Sequence, residues 1–210
     1  KTGLNEGVGN VIYIDKENKN ELRAEHVLYN EHTGYGYATK RALMLDYSQK
    51  DTHWMHADSL KIYPYNMGTD SVYRKVHAFP HVRAYRQDLQ AVCDSLVFNS
   101  QDSCMTMYRD PIAWNINRQL LGEVMKVYMN DSTIRKAEII GQALSVEQVD
   151  GKNHFNQVSS TRMDAYFIDG AMRRADAVGN VKTVFYNTDQ KDSVLTELNY
   201  LETDTMRMYM

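Results

Sequence analysis

Apolar and polar residues alternate along most of this chain with the two-residue period of half-buried strands, and the phase slips at regular places. In Ala91–Phe98, apolar or small residues sit at 91 and 93 and then at 96 and 98. A one-residue slip turns side chains to the opposite face unless the strand bends or bulges there. The pattern therefore predicts a strand that turns a corner with both halves facing one interior. The same arrangement recurs as Leu22, Ala24 then Val27, Tyr29; Met55, Ala57 then Leu60, Ile62; and Leu120, Gly122 then Met125, Val127. Val158, Ser160 then Met163, Ala165 and Leu201, Thr203 then Met206, Met208 complete it. A small residue precedes each slip: Ala24, Ala57, Cys93, Gly122, Ser160 and Thr203. Four are followed by an acid, namely Glu25, Asp58, Asp94 and Glu123. The spacing is close to that of a two-strand unit, which predicts an internal repeat.

Between the corner strands the chain reads as short strands and turns. Asp150-Gly151-Lys152-Asn153 and Asp169-Gly170 are hairpin signals, as is Glu31-His32-Thr33-Gly34. Asn130-Asp131-Ser132 reads as a tight turn, and Asn187 to Asp192 as a polar connection. Pro64 is expected to end the strand begun at His53, because proline cannot donate to a ladder. Gly141 is expected to split Ile134–Ile140 from Ala143–Val149. The best helical rival, Leu195 to Leu201, is short and uncapped. The expected fold class is all-β: a jellyroll or incomplete roll of antiparallel corner-turning strands. Residues 1–210 read as one continuous domain, since no Pro/Gly/Ser-rich linker interrupts the repeat. The final Met206–Met210 run stops mid-pattern, so the expectation is a fragment of a longer chain, with a leader removed before Lys1.

Composition narrows the function. The net charge of −3, with dispersed Lys and Arg, offers no footprint for nucleic acid and no polybasic cluster for an anionic membrane. No apolar run reaches the roughly 18 residues of a membrane helix. The 15 Tyr suit strands, and the 12 Met suit adaptable apolar space. A turn centred on Gln101 places Phe98 opposite Cys104 and Cys93 opposite Arg109, too far apart for the thiols to bridge. Both cysteines read as small buried residues.

Catalytic sets are not evident. The chain has no phosphate-binding glycine loop, nucleophile elbow or paired-cysteine zinc pattern. His53 and His56 point to opposite faces of a strand, and Pro80 bends the chain between His77 and His81. No metal or cofactor is expected. The acids Glu25, Asp58, Asp94 and Glu123 follow the repeat, whereas a catalytic pair breaks symmetry. They are expected to accept backbone N–H groups freed at each bend.

The blocks Met55-His56-Ala57-Asp58-Ser59-Leu60, Val82-Arg83-Ala84-Tyr85-Arg86, Gln90 to Phe98 and Asp110-Pro111-Ile112-Ala113-Trp114 resemble the OstA-like proteins of Bacteroidetes. So do Gln119-Leu120-Leu121-Gly122 and Val178-Gly179-Asn180-Val181. That family is related to the periplasmic lipopolysaccharide transport proteins. The resemblance implies a non-enzymatic periplasmic β-jellyroll, associated with outer-membrane assembly, that holds acyl chains in an apolar groove. It also implies joining to other Lpt-type jellyrolls, or to a second copy, by edge-strand pairing. Leu60, Ile62, Leu96, Phe98, Met125 and Val127 are the groove-lining candidates, and a closed dry core demands the same residue types. The rival function is a structural scaffold that associates end to end without touching lipid.

Overall fold

The computed structural model describes residues 3–209 apart from 18, 49–50, 88, 131–132, 150–152 and 189–194. The Asp131–Ser132 turn residues, Asp150–Lys152 of the hairpin signal and most of the polar connection before Leu195 thus lie outside the described residues. Those described are all-β, with no helix. The strands are β1 (Leu4–Asp15), β2 (Asn20–Asn30), β3 (Gly36–Asp46), β4 (His53–Tyr65), β5 (Tyr73–Phe79), β6 (Val82–Arg86), β7 (Leu89–Cys93) and β8 (Ser95–Asn99). They continue with β9 (Cys104–Tyr108), β10 (Ile112–Asn115), β11 (Arg118–Leu121), β12 (Val124–Asn130), β13 (Thr133–Gln148), β14 (Phe155–Ile168), β15 (Ala171–Thr188) and β16 (Leu195–Tyr209). Where one continuous domain is expected from sequence, contacts cluster into two compact units, Lys1–Arg109 and Asp110–Met210.

In the first unit β1 to β5 pair antiparallel in chain order, β5 continues to β8 and β9, and β4 also pairs β6, which pairs β7. One lateral row of register partners runs Ala38, Leu60, Ala78, Leu96, Met107, and all five are buried. On the other side of the phase slip, Ala42 pairs Ala57 and Val82 pairs Cys93, again all buried. In the second unit β12 to β16 form an antiparallel run, and β10 and β11 join it through β13. Its central row is Met125, Ile139, Met163, Ala177, Met206.

The slips are β-bulges. Gly9–Asn10 on β1 stand opposite the single residue Glu25, and Lys40–Arg41 on β3 opposite Asp58. Gly141–Gln142 on β13 face Thr161, and Gly179–Asn180 on β15 face Asp204. Both residues of each pair have positive φ, from 44° at Gln142 to 81° at Gly179. At Gly179 a side chain is doubly excluded, because an added Cβ would lie 2.7 Å from the Thr161 hydroxyl oxygen. The extra residue restores the phase, so each strand keeps its apolar side on one face through the bend. Ala24, Ala57, Ser160 and Thr203 lie at this level on strands that face a bulge, whereas Cys93 ends β7 and Gly122 lies between β11 and β12. Asp204, directly after Thr203, is a fifth acid in this place, beyond the four singled out by sequence.

Several expectations are corrected. β4 runs through Pro64, because beyond Ile62 it has lost β3 as a neighbour and a missing donor costs the ladder nothing. Gly141 does not end a strand: β13 passes through it as a bulge. The Leu195–Leu201 stretch, by contrast, is strand as the all-β expectation has it. Asn99, not Phe98, pairs Cys104, because the turn spans four residues; both cysteines are free and buried.

The Ala42–Ala57 pair leaves no room for a larger side chain at the bend. Ala57→Leu is expected to lower the unfolding free energy by about 1–3 kcal/mol in urea titration. A loss below about half a kcal/mol would mean the corner is loosely packed.

Candidate functional site

The six groove candidates fall into two sets. Leu60 and Leu96 share one row through Ala78, and Ile62 and Phe98 share the next through Val76. Met125 and Val127 lie in the second unit, on one face of β12. Leu60, Leu96 and Met125 are sealed, at 4%, 1% and 3% exposure, whereas Ile62, Phe98 and Val127 are half-buried. Lys61 and Val97 sit on the opposite face of β4 and β8.

The acids at the bulges do not accept freed backbone N–H groups as expected from sequence. Three of them, Asp58, Asp94 and Glu123, meet side chains instead. The Asp58 amide donates to the Pro80 carbonyl at 3.1 Å, and its carboxylate meets His81 Nδ1 at 2.8 Å. Arg109 Nη1 donates to Asp94 at 3.1 Å. The Glu123 amide reaches the Ile140 and Gly141 carbonyls, and its carboxylate accepts from Gln142 Nε2 at 3.1 Å. Thr161, in the equivalent place on β14, donates its hydroxyl to the Gly179 carbonyl at 3.2 Å. At Asp58 and Glu123 the backbone amide, and at Thr161 the hydroxyl, donates to a carbonyl of the neighbouring strand, while the carboxylates accept from side chains beside them.

The outer face of the second unit carries a row that sequence reasoning missed. Glu138, Asp164, Asp176 and Arg207 are register partners on β13 to β16. Three adjacent carboxylates in a sheet would repel one another. Lys136 lies 2.7 Å from Glu138, and Arg162 spans Glu138 at 3.2 Å and Asp164 at 2.9 Å. Arg207 binds Asp176 at 2.8 Å, and Arg174 lies 3.3 Å from it while stacking on Tyr166 at 4.0 Å. The hydrogen bond to Glu138 raises the pKa of Lys136, and that to Asp164 raises that of Arg162. The carboxylates are met by cations on their own and neighbouring strands, so the row is a charge-compensated ladder. Its sequence signal was visible: Lys136, Glu138 and Arg162, Asp164 alternate with the core positions.

Histidines take structural partners. His53 Nε2 accepts from Arg86 at 3.2 Å, and His77 packs edge-on against Tyr63 at 5.0 Å. Among the described residues no three His, Cys, Asp or Glu side chains gather as a metal set. Burial pushes the Cys93 thiol up to about 11, so it stays protonated and unreactive at neutral pH. Two hollows lie along the bulge level. One, of about 210 Å³, is bounded by Asn10, Arg23, Glu25, Lys40 and Arg41; the other, of about 360 Å³, by Asp110, Gly122, Glu123 and Gln142.

No protein-family model matches the chain, and no curated protein matches it.

His77 supplies a pH signature. Burial, and then the charges of Lys75 and Lys61, hold its pKa below the ordinary value. The unfolded chain therefore binds the proton more readily, and stability falls as pH drops below about 6.5, levelling off below the folded-state pKa. His77→Phe keeps the ring contact and removes this slope. Urea midpoints measured across that window are expected to show a smaller acid loss in the variant; an unchanged slope would contradict the assignment.

Proposed function

We propose that this chain is a non-enzymatic, lipid-handling β-roll of the OstA-like type. In this reading it is a periplasmic jellyroll that passes lipopolysaccharide, or a related lipid, towards the outer membrane and needs no cofactor. The observation that carries the reading is the apolar face of each unit. Along Ala38–Leu60–Ala78–Leu96–Met107 and Met125–Ile139–Met163–Ala177–Met206 no charged side chain interrupts it. Alternation of alanine with leucine or methionine makes that face uneven, and methionine adapts to variable occupants. Ile62, Phe98 and Val127 present the accessible margin for acyl chains. Three of the four repeated acids, Asp58, Asp94 and Glu123, are engaged by neighbouring side chains, which leaves no convergent pair for acid–base chemistry.

A second reading, a scaffold joined end to end, draws on the terminal strands. β1 pairs only β2, and β16 pairs only β15. Val8 on β1 is 76% exposed and Tyr209 on β16 is 73% exposed, with Ile12, Ile14, Leu198 and Tyr200 also open. Such edges accept an added strand.

Photo-crosslinking separates the two. A photoreactive residue at position 62 or 98 is expected to capture lipid from a lipopolysaccharide suspension, with positions 61 and 97 as opposite-face controls. Capture from 61 and 97 alone would overturn the lipid reading. Concentration-dependent association, lost in Ile12→Lys and Tyr200→Lys and indifferent to lipid, would favour the scaffold.

A further inference from the structure

The bulge on β3, which stands between Glu25 on β2 and Asp58 on β4, departs from the rest of the repeat. Elsewhere the acid is engaged: Asp58 with His81, Asp94 with Arg109, Glu123 with Gln142. Glu25, Lys40 and Arg41 make no side-chain hydrogen bond or ion pair among the described residues. The bulges on β1, β13 and β15 open with glycine, while Lys40 and Arg41 adopt φ of 61° and 64° without one, as Arg109 and Asp110 do at 63° and 54°. Left-handed backbone at two successive long side chains is unfavourable, and such strain is retained where it positions groups for use. Both side chains are exposed and border the hollow shared with Asn10, Ala24 and Arg23. Arg23 is committed to Glu21, so the two bulge cations are the unneutralised charge of the site, against the single carboxylate of Glu25.

We propose that this hollow binds a phosphate-class oxyanion. Arg41 offers a planar fork of donors and Lys40 a compact charge, the two complementary ways of holding such a group. The Asn10 amide adds a neutral donor on the opposite wall. The same chemistry could be presented by free inorganic phosphate or by the phosphate monoester headgroup of an amphiphile. The inference does not rest on acyl-chain binding, and phosphate binding without lipid capture would leave it standing.

The test is a titration of the whole chain followed by amide chemical shifts. One arm uses inorganic phosphate; the other uses phosphatidylcholine vesicles with and without phosphatidic acid, read by co-flotation. Shifts centred on Asn10, Ala24 and Lys40 with inorganic phosphate assign a free anion. Flotation that requires phosphatidic acid assigns a headgroup. Lys40→Gly combined with Arg41→Asn rebuilds the Gly-Asn bulge found on β1 and β15, so the variant is expected to melt no lower than the parent while binding is weakened roughly tenfold or more. Glu25→Gln removes a repelling carboxylate and is expected to tighten binding by about threefold. Failure to bind in both arms, or equal binding by the rebuilt bulge, overturns the proposal.

Discussion

Side chains on a strand alternate with a period of two, so a sheet that bends must add one residue per bent strand or turn its core outward. This chain adds that residue on alternate strands. Gly9–Asn10 and Lys40–Arg41 in the first unit, with Gly141–Gln142 and Gly179–Asn180 in the second, each place two residues against one. The intervening strands carry the small residue and polar neighbour that fit against the bulge. Ala42 pairs Ala57 and Ala143 pairs Ser160 beside the bulges, and all four are buried. Larger residues such as Leu60, Leu96, Met125 and Met163 appear only a step away from them. The apolar face, the sealed cysteines and the exposed hollows all follow from that one device.

The two units clothe the same skeleton differently. In the first, the outer face carries rings: Tyr35 and Tyr63 lie 5.4 Å apart, and Tyr63 meets His77. In the second, the outer face carries the Glu138–Asp164–Asp176 ladder with its flanking cations. Cross-strand neighbours on a sheet face interact whatever their chemistry, so rings or compensated charges serve equally to hold register. Function on such a skeleton belongs to departures from the repeat. The bridging acids conform to it. The unengaged Glu25 and the cationic Lys40–Arg41 bulge do not.

Much of this was legible in the sequence. The alternation and its slips named the corner residues, because burial on one face writes directly into a period-two pattern. The acids' partners were not legible, since they depend on which bulge stands opposite after pairing. Asp204 was as legible as the four acids singled out, since it directly follows the named small residue Thr203. Pro64 misled because an edge tolerates what a central strand forbids. The split between sealed Leu60, Leu96 and Met125 and half-buried Ile62, Phe98 and Val127 could not be read either, because both classes use the same residue types. The division into two units left no linker to read, since Arg109 and Asp110 fall within the repeat itself.

Native-state hydrogen exchange on a chain lacking Gly179 tests the central claim most directly. Without the extra residue, one half of β15 must slip its register, turning Val181 and Thr183 out of the core or Ala177 with them. The account expects amide protection on β15 and β16 to collapse on one side of position 179, with cooperative unfolding of the second unit weakened. Wild-type protection on both sides of the deletion would show that the bulge is dispensable and would contradict the account.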